Sequence, residues 1–341
     1  MNRTHLKVLC ILVGALVLIT ACGGNAATPT STAKDVVNYQ MGWVHEYSST
    51  PFYMAIANGH YAEANLDVKL SLGGFGEDGY VDPIEQVVSG AADFSQASLF
   101  SLLEARAAGK PVVAIATVNQ RSPFAILSLK EKGIINPGHL ADNTVAVATG
   151  GAQLNYDALL RSLNIDPATM NTVERTAFGI EPLVDGEVDA FGGWIINEGV
   201  ALQEAGHEIN SLLLSDYGID TYDLLIFTTE DTIANRPDVV ERFLKASLAG
   251  LKDVIDDPEK AIDVALTYDS TLAKDAQLRR LRAFIPLIQP AGTQLGMMQP
   301  EIWEFGYQLL TDAGLLTTSQ DLSKAYTLDF LNKIYANQAN A

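Results

Sequence analysis

Residues 111–118 contain five consecutive apolar side chains, Val112-Val113-Ala114-Ile115-Ala116. A strand wetted on one face alternates apolar and polar residues, whereas a continuous run has to be covered on both faces. The surrounding sequence supplies the cover. Residues 36–43 read as a strand, 51–65 as a helix, 67–72 as a strand, 84–89 as a helix and 93–97 as a strand. Ser98 is placed to cap a helix running to Ala108, with Gly109 past its end. A second unit repeats the alternation: strands at 144–148, 172–178, 189–195, 209–214 and 222–229, with helices at 152–163 and 198–205. From Pro237 the pattern is helical, at 239–255, 258–266, 276–288, 300–313 and 322–336. Alternating strands and helices define an α/β architecture, expected here with mostly parallel sheets. Val88-Ser89-Gly90-Ala91-Ala92-Asp93-Phe94 is echoed by Val184-Asp185-Gly186-Glu187-Val188-Asp189-Ala190. That period is far too long for a solenoid and suggests two lobes of similar build.

The N-terminus carries a separate signal. Arg3 and Lys7 precede the uncharged apolar run 8–21, whose fourteen residues fall short of the roughly 20 needed to span a bilayer. A charged start, a short apolar region and a small-residue exit make a secretory leader. The exit here is Leu18-Ile19-Thr20-Ala21-Cys22, followed by Gly23-Gly24, and it resembles a bacterial lipobox in which Cys22 is lipidated. The chain has two cysteines, Cys10 within the leader and Cys22, so the mature protein has no disulfide to form. The expected parts are a leader at 1–21 and a flexible tether at 22–35. The acyl chains at Cys22 would hold the protein on the outer side of the cell membrane.

Charge and composition narrow the function. Apolar residues make up 48% of the chain, enough for a large core and against disorder. Acidic residues number 41 against 22 basic ones, and removal of Arg3 and Lys7 with the leader takes the net charge from −19 to −21. A nucleic-acid partner, which needs clustered cations, is excluded. No histidine pair has metal-ligand spacing, no Gly-x-Ser-x-Gly elbow is present, and the one mature cysteine is committed to lipid. No metal, cofactor or catalytic residue is called for. Gly74-Phe75-Gly76-Glu77-Asp78-Gly79 fits the dinucleotide pattern by letter, but its two acids would repel a pyrophosphate, so it reads as a strand-to-helix turn. Asp256-Asp257 and Glu230-Asp231 flank helices and read as caps.

Two tryptophans stand out. Gly42-Trp43 closes the first strand and precedes a polar stretch, and Gly193-Trp194 closes a strand of the second unit, followed by Ile195-Ile196-Asn197-Glu198. Ligands of open α/β sheets bind beyond the carboxyl ends of strands. Tryptophans there, beside an amide and a carboxylate, suit an aromatic nitrogen heterocycle. Trp303, on a late helix, reads as structural.

The mature chain resembles the substrate-binding lipoproteins of ABC importers with the type II periplasmic-binding fold. Within them it is similar to the branch for thiamine-pyrimidine precursors and riboflavin. The resemblance is carried by Gly42-Trp43, Pro51-Phe52-Tyr53-Met54-Ala55, Gly59-His60-Tyr61 and Leu66-Asp67-Val68. It continues in Gly90-Ala91-Ala92-Asp93-Phe94, the run from Ala105-Arg106 to Val112-Val113, and Gly186-Glu187-Val188-Asp189-Ala190. Asn197-Glu198, Tyr217-Gly218 and the pattern Pro237, Val240, Phe243-Leu244, Ala246 complete it. His60 stands where an aromatic is usual and Asn65 where glycine is usual.

The resemblance implies two lobes joined by two hinge crossovers, lobe 1 being 36–121 with 228–341 and lobe 2 being 122–227. It also implies partnership with an ABC permease and its ATPase. Carried over, the pocket would use Trp43, Tyr53, Tyr80, Ser95 and Gln96 from the first lobe. Gly150, Trp194, Asn197, Glu198 and Tyr222 would come from the second. Trp43 and Trp194 are expected to stack on the ligand, Asn197 and Glu198 to meet ring polar atoms, and the loop 73–79 to meet ribityl hydroxyls. The candidate loops hold no Lys or Arg, which favours a neutral ligand over a sulfonate or nitrate. The aromatic supply suits riboflavin, with a formylaminopyrimidine-type precursor of thiamine as the alternative. Fungal pyrimidine synthases share the fold and sacrifice a histidine, and His45 lies near the proposed cleft. Those enzymes resemble one another in a cysteine-rich motif absent here, so a binding role is expected.

Overall fold

The computed structural model describes residues 33–76, 79–176 and 179–339. The leader, Cys22 and nearly all of the expected tether lie outside the described residues, as do Glu77 and Asp78.

The first sheet begins with β1 (Asp35–Gln40) and β2 (Leu66–Ser71), paired in parallel from Asp35–Leu66 to Gln40–Ser71. The helix expected at 51–65 is two pieces, Thr50–Ala57 and His60–Glu63, separated by Asn58-Gly59. Asn65 holds φ 56° before β2, a left-handed conformation that asparagine tolerates better than most residues. That accounts for its standing where glycine is usual. The other departure, His60, bonds through Nε2 to the Asp253 carboxylate at 2.6 Å and so ties two helices together. The glycine-rich stretch is a hairpin of β3 (Phe75–Gly76) and β4 (Gly79–Tyr80) rather than a turn into a helix. β5 (Ser95–Ala97) and β6 (Val112–Thr117) follow, and a bridge from Tyr39 to Phe94 joins β1 to the approach of β5.

The chain then crosses to a second sheet of β7 (Phe124–Leu129), β8 (Thr144–Val147), β9 (Asn171–Glu174), β10 (Ala190–Trp194) and β11 (Ile209–Leu213), in the order β11-β7-β10-β8-β9. β12 (Leu225–Thr229) returns to the first sheet between β5 and β6. The return therefore precedes Leu225, ahead of the boundary expected at 228. The two crossovers lie side by side. Val118 donates its N–H to the Leu224 carbonyl at 2.9 Å, and Leu224 donates to the Asn119 side chain at 3.0 Å.

The sheets are mixed rather than mostly parallel. β1–β2, β8–β9 and β8–β10 pair in parallel, while β7 and β12 run antiparallel to both of their neighbours. These are the strands entered from a crossover, with no helix between to turn the chain back into the parallel sense. The continuous apolar run in β6 was a signature of cover on both faces, which an antiparallel strand can also need. Every residue of β6 is buried.

Helix Pro237–Asp256 covers the first sheet, with Phe243 stacked on Phe94 at 4.1 Å between ring centroids. Trp303 is fully buried and stacks on Tyr326 at 4.7 Å, a core role. Asp257 caps helix Pro258–Tyr268 by accepting from the Lys260 N–H.

Candidate ligand-binding cleft

A cavity of about 540 Å³ lies where the two sheets and the crossovers meet. The parallel trio β9-β8-β10 brings three carboxyl ends to one side. Thr149 and Gly150 follow β8, Arg175 follows β9, and Trp194 ends β10; all four line the cavity. Beyond Trp194 the chain makes a π-helical turn, Ile195–Gly199, which carries Asn197 and Glu198. Such turns widen the backbone locally and recur at functional sites. From the first sheet, Gly42, Trp43 and Glu46 arrive after β1, Tyr80 and Asp82 after β2, and Gln96 from within β5. Gly73 makes this wall possible. A Cβ there would sit 2.2 Å from the Met41 carbonyl oxygen and 2.8 Å from the Trp43 nitrogen, so only glycine lets the chain after β2 lie against the Trp43 backbone.

The second wall is tied by an ion pair. Arg175, 4% exposed, donates from Nη1 to Glu198 Oε1 at 3.1 Å and to the Gly192 carbonyl at 2.8 Å. Its Nη2 donates to the Gly179 carbonyl at 3.2 Å, and the guanidinium lies 4.1 Å from the centre of the Phe191 ring. Glu198 Oε2 accepts the Trp194 N–H at 2.9 Å. Both carboxylate oxygens are thus engaged within the chain, so Glu198 holds the π turn and the Trp194 backbone rather than offering an idle acceptor. Gly193 lets this brace lie flat on β10, since a Cβ there would be 3.0 Å from the Glu198 carboxyl carbon and 3.1 Å from Arg175 Nη1. Asn197 has no side-chain hydrogen bond among the described residues and faces the cavity.

Two carboxyl groups in the lining titrate unusually. Burial pushes Glu46 up to about 7, with the Glu198 charge adding to the rise and the Ser48 hydroxyl, at 2.6 Å, opposing it. Burial likewise raises Asp223, in the return crossover, to about 6 against the pull of Ser122 and Asn155. Near neutral pH each can donate or accept a hydrogen bond.

Of the residues expected at the pocket, Trp43, Tyr80, Gln96, Gly150, Trp194, Asn197 and Glu198 meet on this one cavity. Tyr53, Ser95 and Tyr222 do not, and all three are fully buried. Tyr53 stacks on Tyr268 at 4.2 Å and shares a 2.6 Å hydrogen bond with His45. The Ser95 hydroxyl is turned into the sheet, donating to the Gln40 carbonyl at 2.6 Å. The Tyr222 hydroxyl accepts the Gln299 N–H at 2.9 Å. The candidate loops themselves hold no Lys or Arg, but two cations reach the cavity from segments outside them. Arg175 and Lys110 line the cavity, though Lys110 is paired with Glu85 at 2.6 Å and Arg175 with Glu198. Against them stand Glu46, Asp82, Glu104, Glu198 and Asp223, so the lining remains acidic. The helix after the dinucleotide-like stretch has its first N–H groups already engaged. The Asp82 carboxylate already accepts from the Ile84 and Glu85 N–H groups at the start of helix Pro83–Val88.

Two α/β lobes joined by paired crossovers, with a ligand-sized cleft at the strand ends, make the two-lobed fold of the type II periplasmic class. The ligand-binding component of an ABC-type import system from Staphylococcus aureus has the same fold, with a TM-score of 0.67 over 88% of this chain and 99% of that one at 14% identity. The chain belongs to the NMT1/THI5-like family, which matches residues 46–261. The riboflavin-binding protein RibY of Chloroflexus aurantiacus is 29% identical, covering 96% of this chain and 98% of that protein. The formylaminopyrimidine-binding protein of Halalkalibacterium halodurans is 27% identical over 87% of this chain and 91% of its own length. A 4-amino-5-hydroxymethyl-2-methylpyrimidine phosphate synthase of Legionella pneumophila is 24% identical over 69% of this chain and 74% of the enzyme.

Proposed function

We propose that this chain captures riboflavin outside the cell and delivers it to an ABC permease, held at the membrane by lipid on Cys22. The observation that carries the ligand is a cavity of about 540 Å³ with Trp43 and Trp194 both in its lining. Small-molecule sites span about 300–1,000 Å³. A single pyrimidine would leave much of this one unfilled, whereas a tricyclic ring with a polyol tail uses it. The relative named for riboflavin matches along nearly its whole length, which supports the same choice.

The acidic lining disfavours a sulfonate or nitrate, whose charge would meet five carboxyl groups and two cations already paired. A synthase-like role finds no support in the cleft. His45, the candidate sacrificial histidine, is absent from the cavity lining and bonded to the buried Tyr53. Among the described residues no helix is long and apolar enough to cross a membrane, which fits attachment through the N-terminal lipid.

Fluorescence titration of the purified, tether-truncated protein with riboflavin tests the reading. Mutual quenching of tryptophan and flavin at micromolar protein is the expected result. If quenching is absent and a formylaminopyrimidine binds in calorimetry, the ligand is the thiamine precursor instead.

A further inference from the structure

Most polar side chains on the cavity wall are already spent. Glu198 and Arg175 hold each other, and the Asp82 carboxylate is engaged by backbone N–H groups. Gln96, Asn155 and Asp223 each keep one unbonded atom, but those atoms are sealed in the packing and present nothing to an occupant. Glu46 and Asn197 differ. Both line the cavity, both are half-buried, and neither is among the sealed groups. Asn197 makes no side-chain hydrogen bond among the described residues, and Glu46 uses only Oε1, which accepts the Ser48 hydroxyl at 2.6 Å. Glu46 belongs to the first lobe and Asn197 to the second.

The backbone beside Glu46 is fixed. The Tyr47 N–H donates to Gln277 Oε1 at 2.8 Å, and the Thr50 hydroxyl donates to the Tyr47 carbonyl at 2.6 Å. Glu46 stands at the head of the short turn Tyr47–Ser49, yet its side chain does not cap that turn. The charges that face it are Glu198 from the second lobe and Arg280 from helix Lys274–Ile288, and neither bonds to it among the described residues. Burial opposes a carboxyl whose hydrogen-bonding capacity is unmet. A group that the local fold does not use, held on a fixed backbone with Oε2 unbonded, calls for a donor from outside the chain.

Oε2 is an acceptor, and the Asn197 amide carries both a donor and an acceptor. An anion offers Oε2 no donor. A ring that sets an N–H beside a carbonyl satisfies both residues, and the pyrimidine edge of a flavin has this pattern, an imide N–H between two carbonyls. We propose that Glu46 selects the ligand's ring by accepting its imide N–H from the first lobe, while Asn197 donates to the neighbouring carbonyl from the second. This rests on the riboflavin reading and deepens it by assigning the polar edge of the ring to particular residues. It also moves the expected carboxylate contact from Glu198, which is spent on Arg175 and the Trp194 backbone, to Glu46.

The test compares riboflavin with 3-methylriboflavin, in which a methyl group replaces the imide hydrogen, by flavin fluorescence quenching. The wild-type protein should bind riboflavin at least about tenfold more tightly, as expected when a half-buried acceptor loses its donor. Glu46→Met keeps the length of the side chain without the acceptor, and there the preference should fall to within about twofold. Equal wild-type affinity for the two flavins overturns the assignment and leaves the riboflavin reading standing. A preference that persists in Glu46→Met would come from the bulk of the methyl group and overturns the role of Glu46. If neither flavin binds the wild-type protein, the reading and the assignment fall together. Glu46→Ala supplies the same comparison if Glu46→Met does not fold.

Discussion

On the second-lobe wall, Thr149, Arg175 and Trp194 stand at or just beyond the ends of three adjacent parallel strands, and Glu198 fastens the turn that follows. On the first-lobe wall, Trp43 and Glu46 come from the segment after β1, and Tyr80 and Asp82 from the chain around the β3–β4 hairpin. These sit on the sheet through the close approach at Gly73. One wall is set by strand ends and a buried ion pair, the other by chain laid over a sheet edge. Substitutions on the two should therefore separate. Changes in the braced wall should cost folding stability first, and changes in the laid-on wall should cost ligand affinity first.

The largest effect expected from this contrast is that of Glu198→Ala. It removes the carboxylate paired with the buried Arg175 guanidinium, and breaking a buried pair in this way costs about 3–5 kcal/mol. Urea denaturation should show a loss of that order, with Glu198→Gln losing less. A midpoint unchanged from wild type would mean that the brace does not hold the wall.

Trp43→Ala should behave in the opposite way. Trp43 is half-buried and lines the cavity, so its removal should cost less stability than the loss of Glu198. The loss falls on binding: an aromatic ring contributes about 1.5–3 kcal/mol by area and roughly 0.5–1.5 more by stacking. Riboflavin affinity should fall about thirtyfold or more. Equal losses of stability and affinity would erase the distinction between the walls.

The same contrast marks how far the sequence could be read. The strand-end rule located Trp194 because β10 runs straight into it, and the polar residues beside it followed. Arg175 escapes because the strand expected at 172–178 ends at Glu174, which leaves Arg175 beyond the strand end, where the cavity lies. β7 escaped although Phe124-Ala125-Ile126-Leu127 is as continuous an apolar run as the one in β6. It has no helix before it, so it falls outside the strand–helix alternation. Tyr53 belongs to a helix buried along most of its length, where periodicity reports burial but not whether the neighbour is a ligand or Tyr268. The capping reading of Ser98 needed only local chemistry, and its hydroxyl accepts the Ser101 N–H at 3.1 Å.

A smaller change in the braced wall is Gly193→Ala. The added methyl would come within 3.0 Å of the Glu198 carboxyl, so the ion pair has to shift or β10 has to bend. Overpacking of this kind costs about 1–3 kcal/mol, and the melting temperature should drop accordingly. Riboflavin binding should weaken with it, because the Trp194 N–H is held by the same carboxylate. A variant as stable as wild type that binds normally would show that the brace has room to spare.

The subtlest difference is in pH dependence, and it belongs to Glu46 on the laid-on wall. Its carboxyl is raised from its ordinary 4.5 to about 7, with burial the leading cause. Between those values the folded state binds more protons than the unfolded state, so stability falls as pH rises through that window and levels off above it. Asp223 titrates in the same direction, at about 6, which makes the wild-type slope a sum of both groups. Glu46→Gln removes one contributor while keeping the shape of the side chain. The melting temperature of Glu46→Gln should therefore rise relative to wild type as pH goes from about 5 to 8, and the two should run parallel above that. A difference that stays flat across the range would place the Glu46 carboxyl in water-like surroundings, and the first wall would then be more open than its buried contacts imply.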